Sequence, residues 1–300
     1  MPYTVVITSF NSIKTIESVI NSVKGLMPPP SQVIIIDDAS GDGSARLISG
    51  LISDSPNISL HTNSVNMGQS FSRNLGTKLS FNDYVIFQDD DDVALTNRAA
   101  IHLDSLEKGA DFSYVSSKKI YPNGYEVVNL NSEMISSPAI KRDLIRFLSA
   151  GLTPKSEFKV YSPGCTLAVR KSSLEALGGF SLTLRRLEDI ELACRALMAG
   201  ARVAWSSNIG VVRLHTLGSD KSPKANYVGE REVLQLTREF FTFREYFVAR
   251  RMISLRAAYF QRNVFAMLPS IALLPLILAL SPSKFYSILR RIRHDSRQNK

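Results

Sequence analysis

The sequence predicts an α/β fold in which helices flank a mostly parallel central sheet, followed by a helical C-terminal extension. First, apolar runs typical of strands at 5–8 and 33–36 alternate with helical spacings at 13–23 and 45–53. Second, both runs are apolar throughout, as parallel strands covered on both faces are. Third, polar or acidic residues follow each of these strands, and ligands of open α/β sheets bind at the carboxyl ends of the strands.

Later segments continue the alternation less regularly. A helix is predicted from Gly68 to about residue 79, and a short one capped by Ser172 or Ser173 ends at 178–179. Residues 116–159 have the weakest pattern, and such a stretch inside a compact domain is usually functional, so we expect substrate contacts there. Further strands are predicted at 58–60, 84–87, 112–115, 165–170, 203–205 and 210–215, and helices at 97–106, 141–148, 188–200 and, as one or two helices, 225–262.

The net charge of +9 lies entirely in the C-terminal part. Residues 231–300 hold 13 basic and 4 acidic side chains, whereas residues 1–230 hold 23 of each. Within the basic part, residues 264–280 carry no charge, include two prolines and have basic residues on both sides. This run is slightly shorter than the roughly 20 residues of a spanning helix. The flanking charges favour a segment that lies at an anionic membrane surface over a span or a buried hairpin.

Composition also bounds the compartment and the partners. Cys165 and Cys194 provide neither a disulfide framework nor a CxxC metal pair, so a reducing compartment is expected. The N-terminus enters a strand-like run without a basic n-region, so no secretory signal is expected. No nucleic-acid motif is present, and no nucleic-acid partner is expected. We therefore predict a cytoplasmic protein, peripheral or monotopic at the inner face of a membrane.

The chain is organised around residues 84–92 (YVIFQDDDD), in which a buried strand runs into four carboxylates. Adjacent carboxylates repel one another unless they are solvated or neutralised. One interpretation is an acidic surface turn, since charge runs are usually solvated. The other is a site for a hard divalent cation, which binds through oxygen and often arrives with a phosphate-bearing substrate.

Glycine motifs exclude two common phosphate-binding sites. Residues 41–43 (GDG) follow a strand but lack the third glycine of a dinucleotide fingerprint, and the two carboxylates before them would repel a pyrophosphate. The segment is better interpreted as an acidic lip that accepts hydrogen bonds from a base or ribose. No GxxxxGK[ST] segment is present, which excludes a P-loop.

Three other charged positions have an ordinary interpretation beside a functional one. Arg73 falls on the second turn of a predicted helix and could be solvated. Glu188 and Asp189 begin a predicted helix, where negative charge suits the dipole. His215 ends a short predicted strand, and a lone histidine is more often structural than a ligand.

Taken together, seven ordered segments resemble glycosyltransferase family 2 with its GT-A fold, over about residues 4–219. The resemblance implies a catalytic domain at 1–220, with a nucleotide-binding half at 1–115 and an acceptor-binding half at 116–220. Residues 221–300 would form the basic helical extension. The segments are 5–11 (VVITSFN), 36–44 (IDDASGDGS), 66–74 (NMGQSFSRN), 89–92 (DDDD), 178–180 (GGF), 188–189 (ED) and His215.

The resemblance assigns a nucleotide-binding role to residues near the first strands. It implies that Asp37 accepts a hydrogen bond from a uracil ring. Ser9 and Phe10 would line the base pocket, and Arg73 would flank the nucleotide. The implied donor is a nucleotide-sugar, with UDP as its nucleotide.

Within the acidic run, Asp89 and Asp91 match the outer residues of the family's Asp-x-Asp motif. The resemblance makes Asp91 the metal ligand and Asp89 the ribose or outer contact. Asp90, which often is a small or neutral residue in the family, is here a third carboxylate near the nucleotide. The pair Asp90 and Asp92 therefore stays open as the alternative register.

Asp189 matches the catalytic base, and His215 matches a late metal or diphosphate contact. The implied reaction is an inverting transfer, in which Mg²⁺ or Mn²⁺ stabilises the departing diphosphate while Asp189 takes the proton of an acceptor hydroxyl. The acceptor would be a glycan or lipid-linked molecule of cell-surface polysaccharide synthesis. Two alternatives stay open: a sugar-phosphate nucleotidyltransferase, for which the first strand lacks a Gly-rich basic loop, and an inactive scaffold at the membrane.

Overall fold

The computed structural model describes residues 1–151, 158–214 and 223–260, with no side chains described for 223–225 and 260. His215 and the apolar run 264–280 lie outside the described residues. The described strands are β1 (Thr4–Ser9), β2 (Gln32–Asp37), β3 (Ile58–Thr62), β4 (Tyr84–Asp89), β5 (Asp92–Ala94), β6 (Phe112–Ile120), β7 (Glu126–Asn129), β8 (Met134–Ile135), β9 (Leu167–Arg170) and β10 (Val203–Leu214). The described helices are α1 (Ile16–Lys24), α2 (Ser44–Leu51), α3 (Gln69–Leu79), α4 (Arg98–Glu107), α5 (Pro138–Ala150), α6 (Lys171–Ala176), α7 (Glu188–Met198), α8 (Pro223–Leu236) and α9 (Phe243–Phe260).

These strands form one mixed sheet in the order β3-β2-β1-β4-β9-β6-β10-β5, with β7 on β6 and β8 on β10. The strands β3, β2, β1 and β4 are parallel, and β9 runs antiparallel between β4 and β6. Helices cover both faces and bury two large apolar clusters, one on each side of the sheet. The α/β prediction with a mostly parallel sheet flanked by helices is confirmed.

Parallel pairing places the carboxyl ends of β1, β2 and β4 side by side. Ser9 pairs with Asp37, and Thr8 pairs with Asp89. The polar residues that follow these three strands are therefore brought to one edge of the sheet, where open α/β sheets bind ligands. The strand interiors are completely buried, which agrees with their uninterrupted apolar sequence.

Two local expectations are wrong. The predicted strands 203–205 and 210–215 are one strand, β10, whose pairing with β6 shifts register between Trp205 and Val211. The polar residues 206–208 look like a break between two strands in the sequence. The strand continues through them because neighbouring segments satisfy their hydrogen bonds. Neither Ser172 nor Ser173 caps α6, since both lie inside the helix, and the Ser173 hydroxyl donates to Asp111 at 2.7 Å.

In the C-terminal extension, the helices α8 and α9 contact each other and are joined by a segment that includes a short 3₁₀ turn (Arg238–Phe240). Helix α8 packs on α5 and α7. A small apolar cluster that includes Leu234, Phe241 and Ile253 joins α8 to α9 and packs against Ala150 at the end of α5. Gly229 allows close approach: a Cβ there would lie 2.5 Å from the Arg186 carbonyl oxygen. Among the described residues, no helix combines the length and apolar character needed to cross a bilayer.

Candidate active site

A cleft of about 320 Å³ opens at the carboxyl end of β4. Its walls come from seven separate parts of the chain, and most of the side chains with functional chemistry lie at or near the ends of secondary-structure elements. We call this space the catalytic cleft. Its polar lining includes Gln69, Arg73, Asp89, Glu188, Asp189 and Arg213.

Arg73 is the central cation of the catalytic cleft. Its guanidinium donates to Asp89 Oδ1 at 2.8 Å and to Glu188 Oε1 at 2.9 Å, and the side chain is only 2% exposed. Burial alone would lower the pKa of Arg73, but its ion pairs with the two carboxylates outweigh burial and raise it. The interpretation of Arg73 as a solvated helix residue is therefore wrong, and its contact with a nucleotide stays a prediction.

Close packing fixes the Arg73 guanidinium from two sides. The guanidinium lies over the Phe180 ring, with Cζ 5.1 Å from the ring centroid, in a cation–π contact. On another side, a Cβ on Gly164 would lie 2.5–2.7 Å from the guanidinium atoms, so only glycine fits there. The cation thus joins the acidic end of β4 to the start of α7 in one defined position.

Asp189 projects from the first turn of α7 into the same cleft. Its Oδ2 accepts a hydrogen bond from the Gly164 N–H at 3.2 Å, and its Oδ1 accepts one from the Ile190 N–H at 2.8 Å. Leu187, directly before the helix, has a left-handed φ of 64°. That conformation costs a branched residue on the order of 1 kcal/mol or more and is typical of functional sites. A carboxylate so held, and open to the cleft, is suited to accept a proton.

A smaller pocket of about 150 Å³ adjoins the catalytic cleft at Gln69, which lines both. It is lined by the ends of β1 and β4 and by the start of α3. We call it the base pocket, because Ser9 and Phe10, which are predicted to contact a nucleobase, line it. The backbone N–H of Phe10 donates to Asp90 Oδ2 at 2.8 Å, which ties β1 to the acidic run. Ser9 is buried, with its hydroxyl 2.7 Å from that of Ser12. Phe10 is 40% exposed at the rim.

The two adjacent carboxylates after β2 have different surroundings. Asp38 accepts from the backbone N–H groups of Met67 and Gly68 at 2.8 and 2.7 Å, and it lines the base pocket. Gly68, with a φ of 92°, starts α3 at this point. Asp37 is completely buried; its Oδ2 accepts from Ser40, while its Oδ1 has no hydrogen-bond partner among the described residues. Asp37 as the base contact stays a prediction.

The four aspartates point in different directions. Asp89 ends β4 and faces Arg73 and Gln69, whereas Asp90 faces β1. Asp92 begins β5, is almost completely buried, and lies 3.7 Å from Arg213. Asp91 lies partly exposed on the turn between the two strands. The run is therefore not a solvated surface turn. It is a tight turn whose carboxylates face Arg73, strand β1 and Arg213.

The donor atoms near this turn fit a hard divalent cation. Oxygens of Asp89 and Asp92 and the sulfur of Cys165 all lie within 4.8 Å of one another. Burial and the adjacent Asp92 raise the pKa of the Cys165 thiol well above its ordinary value, so in the absence of a cation this sulfur is a neutral and weak donor. The remaining donors are carboxylate oxygens, which Mg²⁺ and Mn²⁺ accept together with substrate phosphates. Asp91 as the metal ligand stays a prediction.

Sequence reasoning missed two cations beside the acidic run. Arg213 lines the catalytic cleft next to Asp92, near the end of β10. Arg98 is completely buried below the run and donates to Gln88 Oε1 at 2.5 Å and to the Phe87 and Cys165 carbonyl oxygens at 2.6 Å. Burial lowers the pKa of Arg98 to about 10, so it remains charged at neutral pH. Neither contact has a local sequence signal.

Burial raises the pKa of two of the four aspartates. The pKa of Asp90 rises to about 7, mainly through burial and then through repulsion from Asp91 and Asp89. The pKa of Asp92 also rises to about 7, mainly through burial and then through repulsion from Asp89. Without a cation, the turn is thus least strained electrostatically when these two carboxyl groups carry protons.

Asp90→Asn should gain stability relative to wild type as the pH rises from about 4 to about 7. In this window the unfolded Asp90, with an ordinary pKa of 3.8, has lost its proton while the folded one keeps it. The unfolded wild type therefore binds fewer protons than the folded wild type, so the stability of the wild-type fold falls as the pH rises. Urea titrations of both proteins across this range, without divalent metal, measure the difference. The exposed Asp104→Asn on α4 controls for the loss of one charge, and a flat difference for Asp90→Asn would contradict the expectation.

The glycosyl transferase family 2 model matches residues 4–178, more than half of the chain. The chain belongs to glycosyltransferase family 2. A glycosyltransferase of Haemophilus influenzae is 23% identical to this family 2 enzyme over 304 residues, covering 95% of this chain and 98% of the relative. The enzyme is thus similar to a relative of nearly equal length.

Solved structures share the GT-A fold of this family 2 glycosyltransferase. TarS residues 1–349 of S. aureus in complex with UDP-GlcNAc has a TM-score of 0.60 at 21% identity, covering 88% of this chain and 74% of TarS 1–349. The same protein in complex with UDP has a TM-score of 0.57 at 20% identity. At these identities the likeness shows the fold. The family assignment and the GT-A fold predicted from the sequence are both confirmed.

Proposed function

We propose that this glycosyltransferase moves a sugar from a UDP-sugar to a hydroxyl of a glycan or lipid-linked acceptor, with inversion and with Mg²⁺ or Mn²⁺. One observation carries the proposal. The acidic end of β4 and Asp189 at the start of α7 line a single cleft, and Arg73 joins the two sides. A cation with the leaving diphosphate and a base for the acceptor are the two parts that direct displacement at an anomeric carbon needs.

Donor binding is supported by the groups around the base pocket. Asp37 Oδ1 has no hydrogen-bond partner among the described residues, and a pyrimidine N–H that reached this buried oxygen would be a chemically matched donor. Phe10 at the rim offers an apolar face for a base. TarS, which shares the fold, was solved with UDP and UDP-GlcNAc, and this supports UDP as the nucleotide.

The groups around the cleft define how the chain would assist transfer. A divalent cation held at Asp91, with Asp89 beside it, would neutralise charge on the diphosphate. Arg213, at the cleft wall, adds a permanent positive charge on that side. Asp189 would accept the acceptor proton, while the Gly164 N–H holds its carboxylate in place. His215 completes the proposed metal or diphosphate contacts.

Domain roles and location extend the proposal. Residues 1–115 would bind the nucleotide and 116–220 the acceptor, whereas the basic extension 221–300 would attach the enzyme to the anionic inner face of a membrane. Acceptors of cell-surface polysaccharide synthesis would be met there. Seven Lys or Arg side chains against one acidic side chain in residues 261–300 support attraction to anionic lipid.

Asp189→Asn should lower the turnover number for UDP release by about 10²–10⁴-fold, the range typical of losing a general base. The amide keeps the shape and one of the two backbone hydrogen bonds, that from Gly164 or that from Ile190, but accepts no proton. UDP release is measured with a panel of UDP-sugars and acceptor extracts, with and without Mn²⁺. The affinity for UDP, measured by calorimetry, should change less than about twofold, because Asp189 lies on the acceptor side.

The same measurements separate the competing functions. Wild type that neither binds UDP nor releases it with any extract would overturn the transferase proposal and favour an inactive scaffold. Release of pyrophosphate from a nucleoside triphosphate and a sugar phosphate would instead show a nucleotidyltransferase. Equal turnover of Asp189→Asn and wild type would leave the transferase standing but remove Asp189 as its base.

A further inference from the structure

A second space lies next to the catalytic cleft, on the side of Asp189 and the start of α7. It has a volume of about 270 Å³ and is formed by the end of α5, the start of α7 and the facing sides of α8 and α9. We call it the apolar groove. Its apolar lining includes Leu187, Ile190, Val233, Val248, Met252 and Ile253.

The apolar groove adjoins the catalytic cleft. Four side chains line both spaces: Phe147, Leu148, Leu187 and Ile190. All four are apolar and partly exposed, although they lie between packed helices. Ile190 directly follows Asp189 in the chain. A molecule whose hydroxyl reaches Asp189 is therefore close to the side chains that border the groove.

The chemistry of the groove selects an aliphatic chain rather than further sugar units. A glycan requires hydrogen-bond partners for its hydroxyl groups, and burying them without partners is costly. The two charged side chains of the groove, Glu230 and Arg256, form an ion pair with each other. The remaining wall is mostly aliphatic, including Met252, an adaptable side chain that suits flexible apolar ligands.

The position of the groove indicates that an aliphatic chain bound there belongs to the acceptor rather than to the donor. The donor side of the cleft is marked by Asp89 and Arg213, whereas the groove opens beside Asp189 and shares none of the residues of the base pocket. We infer that the apolar groove binds the aliphatic chain of an amphiphilic acceptor whose hydroxyl is presented to Asp189. This inference rests on the proposed function, because it names the acceptor class of that site.

Binding of alkyl glucosides to the full chain tests the inference without a donor or turnover. Methyl, hexyl, octyl and decyl glucoside are titrated by calorimetry, each below its critical micelle concentration. Each methylene buried in the groove should lower Kd by about fourfold until the groove is full. An affinity that does not depend on chain length would overturn the inference.

A matched pair of variants shows where the alkyl chain of the glucoside binds. Met252→Trp fills the groove from α9 and should remove most of the dependence on chain length. Val228→Trp adds similar bulk on α8 at a side chain that is 41% exposed and does not line the groove, and it should keep the dependence. Equal dependence in wild type and Met252→Trp would overturn the inference, since the chain would then bind elsewhere.

Photolabelling of the wild type provides a readout that needs no variant. A decyl glucoside with a terminal diazirine should label residues 187–190 and 248–253, located by mass spectrometry. Labels confined to other helix faces or to residues 261–300 would overturn the inference. UDP affinity is measured on the same samples. If wild type does not bind UDP but its affinity for alkyl glucosides still depends on chain length, the proposed function is contradicted. If wild type binds UDP but shows no dependence on chain length, only the inference about the groove is contradicted.

Discussion

Arg73→Met should destabilise the enzyme by about 3–5 kcal/mol, the range for removing one partner of a buried ion pair. The substitution keeps much of the aliphatic length but leaves Asp89 and Glu188 without their shared cation. Both carboxylates are largely buried, with side chains 21% and 10% exposed. For a domain of this size the loss corresponds to a fall in Tm of roughly 10 °C. Urea titration and calorimetry measure it.

The loss caused by Arg73→Met should shrink as the pH falls. Burial and the neighbouring Asp189 already raise the pKa of Glu188 above its ordinary 4.5, even with Arg73 present. Without Arg73 this pKa rises further. Above about pH 4.5 the folded variant therefore still holds a proton that the unfolded chain has already released. The variant should therefore be closest to wild type near pH 4.5 and furthest from it above neutral pH.

Two comparisons separate the ion-pair effect from a general one. Lys108→Met breaks an exposed pair with Asp104 and should leave Tm unchanged within error. Arg73→Met combined with Glu188→Gln should recover part of the lost stability, because the amide carries no buried charge. A single variant as stable as wild type at every pH would show that Arg73 does not balance the two carboxylates.

This ion pair marks the limit of sequence-based prediction for the site. Arg73 and Glu188 are separated by 115 positions in the chain, so no local pattern connects them. The parallel strands were predictable because each is a short apolar run followed by polar residues. The same strand ends identified Asp89 and Asp37 as candidates. Which carboxylate faces which cation depends on contacts between distant segments.

Local patterns failed where backbone groups are satisfied by distant partners. The polar residues 206–208 suggested a break, yet the Ser206 carbonyl accepts from Ser116 Oγ at 2.8 Å and the Ser207 N–H donates to Glu133 at 2.7 Å. Those bonds let β10 continue through polar sequence. The three-residue strand β5 was too short to show alternation and forms because β10 pairs with it. Tertiary hydrogen bonding, rather than hydropathy, defines these elements.

The second large effect concerns the register of the acidic run. Asp91→Asn should lower metal-dependent UDP release by about 10³-fold, since a Lewis-acidic cation supplies several kcal/mol of charge stabilisation. Asp90→Asn should cost less than about tenfold, because an amide oxygen can still accept from the Phe10 N–H. UDP release is measured over a Mn²⁺ titration, and Asp92→Asn completes the matched series.

The geometry of the turn explains why this series can distinguish the two registers. Asp90 faces β1 and Asp92 faces Arg213, so each already has a neighbour that orients it. Asp91 lies partly exposed on the turn between β4 and β5. A larger loss for Asp90→Asn than for Asp91→Asn would shift the metal pair to Asp90 and Asp92. The cation would then lie closer to the base pocket, and the apparent Mn²⁺ affinity would depend on the protons that Asp90 and Asp92 hold up to about pH 7.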